Sequence, residues 1–186
     1  ISSVSYLLPN NVENGTLTGS LNARLDGNDL SNTLQGNAFD NTFKGSTLAW
    51  WDDGGAGFSS YAPDTMIGGA GDDTYWVSDG DVVVEAVGAG FDTMITFALT
   101  PLLSANVEVL VDRYAMGGYY SRVVARAVQG NAGANTIILD SPNTASIDYQ
   151  KYLLGTAVTI DGGGGADWMI GSHDDTTYIV DDLGDV

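Results

Sequence analysis

The residues best placed to do chemistry in this chain are aspartates that close glycine-rich turns. In the nine residues Gly68 to Trp76, GGAGDDTYW, glycine holds the first, second and fourth places, Asp73 the sixth and Tyr75 the eighth. Glycine lets the backbone take positive φ in a tight turn and bring its carbonyls inward. Asp73 offers a hard oxygen ligand, and Tyr75 is the one side chain of a very short strand that must face a core. The chemistry this suits is coordination of a hard cation such as Ca²⁺, which takes six to eight oxygens at about 2.3–2.6 Å. If one coil of the chain holds two such units, turns about 18 residues apart lie one strand spacing from each other, roughly 4.8 Å, and two carboxylates can share one ion. Asp73 and Asp92 are 19 residues apart, Asp64 and Asp81 are 17 apart, and Asp167 and Asp185 are 18 apart. Three pairs therefore meet the spacing. Asp175 falls in a further turn whose partner would lie past Val186, which predicts a half-made site there.

The elements that must position these turns are repeats within repeats. Residues 1–94 form one block and 95–186 a second, diverged one: Pro9-Asn10-Asn11-Val12-Glu13 answers Ser104-Ala105-Asn106-Val107-Glu108, Gln35–Ala38 answers Gln129–Ala132 at an offset of 94, and Met66–Gly68 answers Met169–Gly171 at an offset of 103. Long repeats built from short ones predict one continuous solenoid. The units GNDLSNTLQ from Gly27, GNAFDNTFK from Gly36 and GNAGANTII from Gly130 keep the first glycine and the apolar eighth place. They carry asparagine at the second place and Asn32, Asn41 or Asn135 at the sixth. Asparagine tolerates left-handed turns and can bond to neighbours on adjacent rungs, which predicts metal-free rungs held by amide ladders. GGGGADWMI from Gly162 is a full turn, whereas Gly54–Gly57 opens one that Phe58–Pro63 interrupts, so the interruption reads as a surface insertion. Asp79–Val84 reads as a turn and strand, and Val87–Met94 as a turn lacking only its first glycine. GSHDDTTYI from Gly171 carries Thr176 at the ligand place, and residues 112–128 and 139–160 fit the period poorly, as loops or irregular coils would.

Composition narrows the function classes. With 24 acidic residues against 6 basic ones, a formal charge of −18 repels nucleic acid and anionic membranes and calls for cations. At 44% hydrophobic residues the chain is too apolar for an acidic disordered tail and should fold once its charge is neutralised. There is no cysteine, so no disulfide or thiolate site, and no apolar run long enough to span a membrane. The one histidine, His173, reads as a solvated turn residue. Asp52-Asp53 and Asp181-Asp182 read as ion-binding or solvated pairs rather than catalytic ones. Trp50, Trp51, Phe58 and Tyr61, with Tyr114, Tyr119 and Tyr120, read first as cover for irregular coils and second as a stacking platform for sugars. No arrangement of nucleophile and base, phosphate loop or histidine cluster stands out, so the segment reads as non-enzymatic.

The passages LPNNVENGTLTG and GGAGDDTYWVSDGDVVVE resemble the hemolysin-type calcium-binding repeats of RTX proteins, in particular the repeat arrays of secreted bacterial adhesins and surface proteins. The resemblance covers most of the chain and implies an all-β fold, a right-handed parallel β-roll of stacked nonapeptide turns with irregular insertions. It implies Ca²⁺ bound between turns by the sixth-place aspartate and by carbonyls of the second and fourth places. Here those are Gly69 and Gly71, Gly163 and Gly165, Gly55 and Gly57, and Gly88 and Gly90. It further implies type I secretion unfolded, folding in extracellular calcium, and a site at the bacterial cell surface. Asn32, Asn41, Asn135 and Thr176 depart from the ligand pattern. The expected function is a structural or adhesive calcium module, with end-to-end self-association as one way of covering open rungs and a glycan or cell-surface group as a further partner. Two alternatives stand beside it: the secretion and folding module of a larger hydrolase or epimerase, and a carbohydrate-binding module.

Overall fold

A strand of three or four residues has room for one inward side chain, so burial has to come from stacking many strands rather than from the length of any one. The computed structural model describes residues 1–45, 62–96, 98, 101–113, 126–139, 158–171 and 176–186. Among these residues it is all-β: β1 (Tyr6–Leu7), β2 (Asn14–Thr16), β3 (Ala23–Asp26), β4 (Thr33–Gln35), β5 (Asn41–Lys44), β6 (Thr65–Ile67), β7 (Thr74–Val77), β8 (Val82–Val84), β9 (Thr93–Thr96), β10 (Val109–Asp112), β11 (Arg126–Gln129), β12 (Thr136–Leu139), β13 (Val158–Asp161), β14 (Trp168–Ile170) and β15 (Thr176–Ile179). No described helix is long and apolar enough to cross a membrane.

Every ladder is parallel. One sheet runs β1-β3-β5-β7-β9-β10-β12-β14, and successive strands of the chain otherwise fall in a four-stranded sheet, β2-β4-β6-β8, or a three-stranded one, β11-β13-β15. The alternation is broken only where β9 and β10 neighbour each other. Between them Leu102 makes an isolated parallel bridge to Gln129, a rudimentary rung on the side of the three-stranded sheet. Many short parallel strands alternating between sheets are compatible with a β-roll or solenoid.

Register places the eighth-place residues over one another. Leu25, Phe43, Tyr75, Met94, Leu110, Ile137 and Met169 are successive partners in the large sheet. Leu34, Met66 and Val83 follow one another in the second sheet, and Val128 and Ile160 pair in the third. All of these belong to one buried apolar cluster. Phe43 and Tyr75 stack nearly coplanar, with centroids 5.3 Å apart and planes 6° apart, a geometry that adds about 0.5–1.5 kcal/mol to area burial. Coil length is not constant. Leu25 and Phe43 are one ordinary coil apart, but Phe43 to Tyr75 and Ile137 to Met169 each take 32 residues. The stretches that fit the period poorly nonetheless join the ladders at their ends, through β10, β11, β12 and β13.

The first glycine of each turn is held by this stacking. A Cβ on Gly36 would strike the carbonyl of Gly68 in the next coil, and one on Gly130 would strike that of Gly162. That contact explains why asparagine replaces the second glycine in these units while the first is kept.

Candidate metal centre

The stacked coils bring the sixth places of the turns into a column, and the backbone of each coil reaches the carboxylate of the next. Asn41 donates its N–H to Asp73 Oδ1 at 2.6 Å, Asp73 to Asp92 Oδ1 at 2.8 Å, and Asp92 to Glu108 Oε2 at 2.7 Å. Further along, Asn135 donates to Asp167 Oδ1 at 2.7 Å and Asp167 to Asp185 Oδ1 at 3.0 Å. In a second column Asn32 donates to Asp64 Oδ1 at 2.7 Å and Asp64 to Asp81 Oδ1 at 2.9 Å. All three pairs anticipated from spacing are therefore brought together, each by one amide-to-carboxylate bond.

The second oxygen separates these aspartates into two kinds. Oδ2 of Asp73, Asp92 and Asp167 is buried with no hydrogen-bond partner. By contrast, Asp81 Oδ2 accepts the N–H and hydroxyl of Ser78 at 2.8 and 2.9 Å, and Asp185 Oδ2 accepts the N–H groups of Asp181 and Asp182, both at 3.1 Å. Asp81 and Asp185 thus fold their own short turns. An unpaired buried carboxylate oxygen is costly, about 1–3 kcal/mol or more, and a charge-neutralising ligand removes the cost.

The turn Gly68–Asp73 carries the densest arrangement. Asp73, Glu85 and Asp92 each offer a carboxylate oxygen, and these lie within 4.8 Å of one another. Glu85, at the end of β8, is only 8% exposed, and the buried Tyr75 hydroxyl donates to its Oε1. A Cβ on Gly68 would collide with Asp73 Oδ2, Glu85 Oε1 and the Tyr75 hydroxyl, so the missing side chain leaves the space on which three oxygens converge. Burial pushes Asp73 up to about 7, partly offset by the Asn41 amide and reinforced by Glu85, Asp92 and Asp40. Burial likewise raises Glu85, Asp92 and Asp167 and takes Asp64 up to about 7. It also raises Asp81, against its Ser78 and Asp64 hydrogen bonds. Asp185 goes the other way, lowered by the amides of Asp167 and Asp182.

The glycines expected to donate carbonyls fall into two sets. Gly69 (φ +117°), Gly71 (φ +107°), Gly163 (φ +85°), Gly165 (φ +110°) and Gly88 (φ +69°) take the left-handed backbone that favours glycine. Gly90 has no positive φ; its Cα seats against the carbonyl of Gly71, where a Cβ would collide. Gly55, Gly57 and Asp175 lie outside the described residues, as do His173, Asp52, Asp53, Trp50, Trp51, Phe58, Tyr61, Tyr114, Tyr119 and Tyr120.

The asparagine turns differ from their expectation. Asn28, Asn37 and Asn131 do not take positive φ, because each side chain closes its own turn, as when Asn28 Oδ1 accepts the Leu30 N–H at 2.9 Å. Their amides reach carbonyls of the preceding coil rather than forming an amide-to-amide ladder. Asn28 donates to Pro9 and Val12 at 2.9 and 2.8 Å, and Asn131 to Ser104 and Val107, both at 2.8 Å. Asn11 and Asn106, at the matching turns of the two blocks, are the non-glycine residues with positive φ among those described.

Reading by an 18-residue spacing missed three features. Glu85 has no place in the nonapeptide, Glu108 stands 16 residues after Asp92, and the asparagine-to-aspartate contacts span 32 residues. A repeated offset of 32 from Asn32 to Asp64, Asn41 to Asp73 and Asn135 to Asp167 is present in the sequence and marks the last of these.

The donors are all oxygens, and three are buried and unpartnered, which suits a hard cation rather than a soft or imidazole-seeking metal. The acidic cluster at Asp73, Glu85 and Asp92 can hold a metal ion. No protein-family model matches the chain, and no curated protein or solved structure is significantly similar to it.

Proposed function

We propose that this chain is a calcium-binding structural repeat module, a right-handed parallel β-roll of the RTX, hemolysin type, that completes its folding when Ca²⁺ enters the aspartate turns. The observation that carries this reading is the set of buried Oδ2 atoms on Asp73, Asp92 and Asp167 without hydrogen-bond partners. Glycine turns at positive φ lie beside Asp73 and Asp167, and carbonyl and carboxylate oxygens together make the irregular six- to eight-oxygen shell that Ca²⁺ accepts and Mg²⁺ does not. Calcium offsets carboxylate repulsion in a chain of formal charge −18, and its binding free energy becomes folding free energy. Extracellular modules work at about 10⁻⁴–10⁻³ M Ca²⁺, which places the module outside the cell, in a secreted or surface protein, with a structural rather than catalytic part to play.

Far-ultraviolet circular dichroism with and without EDTA tests the reading. Loss of β signal on chelation, recovered by Ca²⁺ and not by equimolar Mg²⁺, is expected. A full β signal and unchanged melt in EDTA would overturn it.

A further inference from the structure

Resting on the calcium reading, we propose that the ion at Asp73 and Asp92 is held in a three-carboxylate site completed by Glu85, with Tyr75 as its positioning residue, and that this site fills before any other in the chain. Spacing rules bring in two aspartates from stacked turns. The third carboxylate comes from elsewhere: Glu85 stands at the end of β8, in the sheet opposite β7 and β9, and turns inward beneath Gly68.

Three observations support a ligand role over a purely structural one. Glu85 is 8% exposed, and no arginine or lysine is shown paired with it. Its Oε1 accepts the Tyr75 hydroxyl and its Oε2 accepts the N–H of Ala86 at 3.2 Å, so each oxygen keeps a lone pair. The neighbouring Oδ2 atoms of Asp73 and Asp92, 1% and 0% exposed as residues, have no partner. Three carboxylates within 4.8 Å of one another repel unless a cation lies among them. The Tyr75 hydroxyl fixes the Glu85 rotamer as an outer-shell donor does for a metal-bound carboxylate.

The other two pairs are poorer. Asp81 and Asp185 spend both oxygens on backbone and serine donors, and among the described residues no third acidic side chain joins either pair in such a group. A site with net charge −3 before loading also favours a trivalent hard cation. Terbium, which tyrosine sensitises, is therefore a probe that reports on this site.

The experiment titrates the full chain with Ca²⁺ by calorimetry and with Tb³⁺ by luminescence excited through tyrosine, for the wild type, Glu85→Gln, Tyr75→Phe and Asp73→Asn. Glu85→Gln is expected to weaken the tightest site by about 10–100-fold. Tyr75→Phe should remove most of the sensitised Tb³⁺ emission while Ca²⁺ still binds, with a smaller loss of affinity. Wild-type affinity in Glu85→Gln, with binding lost in Asp73→Asn, would overturn the role of Glu85 and leave the calcium reading standing. No binding by the wild type would overturn both. If Glu85→Gln fails to fold in saturating Ca²⁺, Glu85→Asp replaces it: the shorter carboxylate should bind with intermediate affinity, and wild-type affinity there, or emission that survives Tyr75→Phe, refutes the proposal.

Discussion

The calcium-free chain should lose stability as pH rises from about 4 to about 7. Asp64 and Asp73 are 3% and 1% exposed, and burial takes both from the ordinary 3.8 up to about 7 in the folded chain. Between these values the unfolded chain releases a proton that the folded chain keeps, so the unfolded state gains on the folded one as pH climbs. The stabilisation is fully present below pH 4 and gone above about 7. A rise of this size amounts to about 4 kcal/mol per group, and screening by solvent at the turns reduces it to roughly 2. The two groups lie in different columns and add, giving about 4 kcal/mol against a typical total of 5–15. Thermal melts in EDTA should therefore fall by roughly 10 °C between pH 4.5 and pH 7.5. In saturating Ca²⁺ the order should reverse, because the ion binds the ionised carboxylates and protons compete with it. A melt in EDTA that is equal or higher at pH 7.5 would refute the reasoning, since it would mean that these carboxylates ionise in the fold without penalty.

Further outcomes follow from the stacking. Gly36→Ala should destabilise by about 1–3 kcal/mol through its clash with the Gly68 carbonyl, read as a lower urea midpoint in saturating Ca²⁺. Asn131→Ala removes two amide bonds to the Ser104 and Val107 carbonyls and should cost about 1–3 kcal/mol; Asn131→Asp, which loses the donors and adds charge, should cost more, and equal midpoints for the two would argue against the donor role. Ile137→Ala, at a fully buried position between Leu110 and Met169, should cost about 2–5 kcal/mol by chemical denaturation.

Much of the fold was legible because a nonapeptide has one obligatory apolar place. Leu34, Phe43, Tyr75, Met94 and Ile137 mark short strands by their spacing alone, and each is buried. Strand register was less legible, because two coils carry long excursions and an 18-residue rule cannot see a 32-residue contact. The asparagine turns show the same limit: residue type gave a polar rung, but whether the amide meets another amide or a carbonyl depends on which coil lies beside it.

The sequence by itself determined that glycine turns present aspartates to a cation, because turn chemistry and ligand chemistry are local properties of Gly68–Asp73 and its relatives. Only the tertiary structure decided which carboxylates are free to use. Asp81 and Asp185 meet the spacing yet are engaged by their own turns, while Glu85, outside the motif, arrives beside Asp73 and Asp92 from another sheet. The reason is physical: a spacing places a Cα, whereas the second oxygen of a carboxylate answers to whatever donors the neighbouring coil brings within reach.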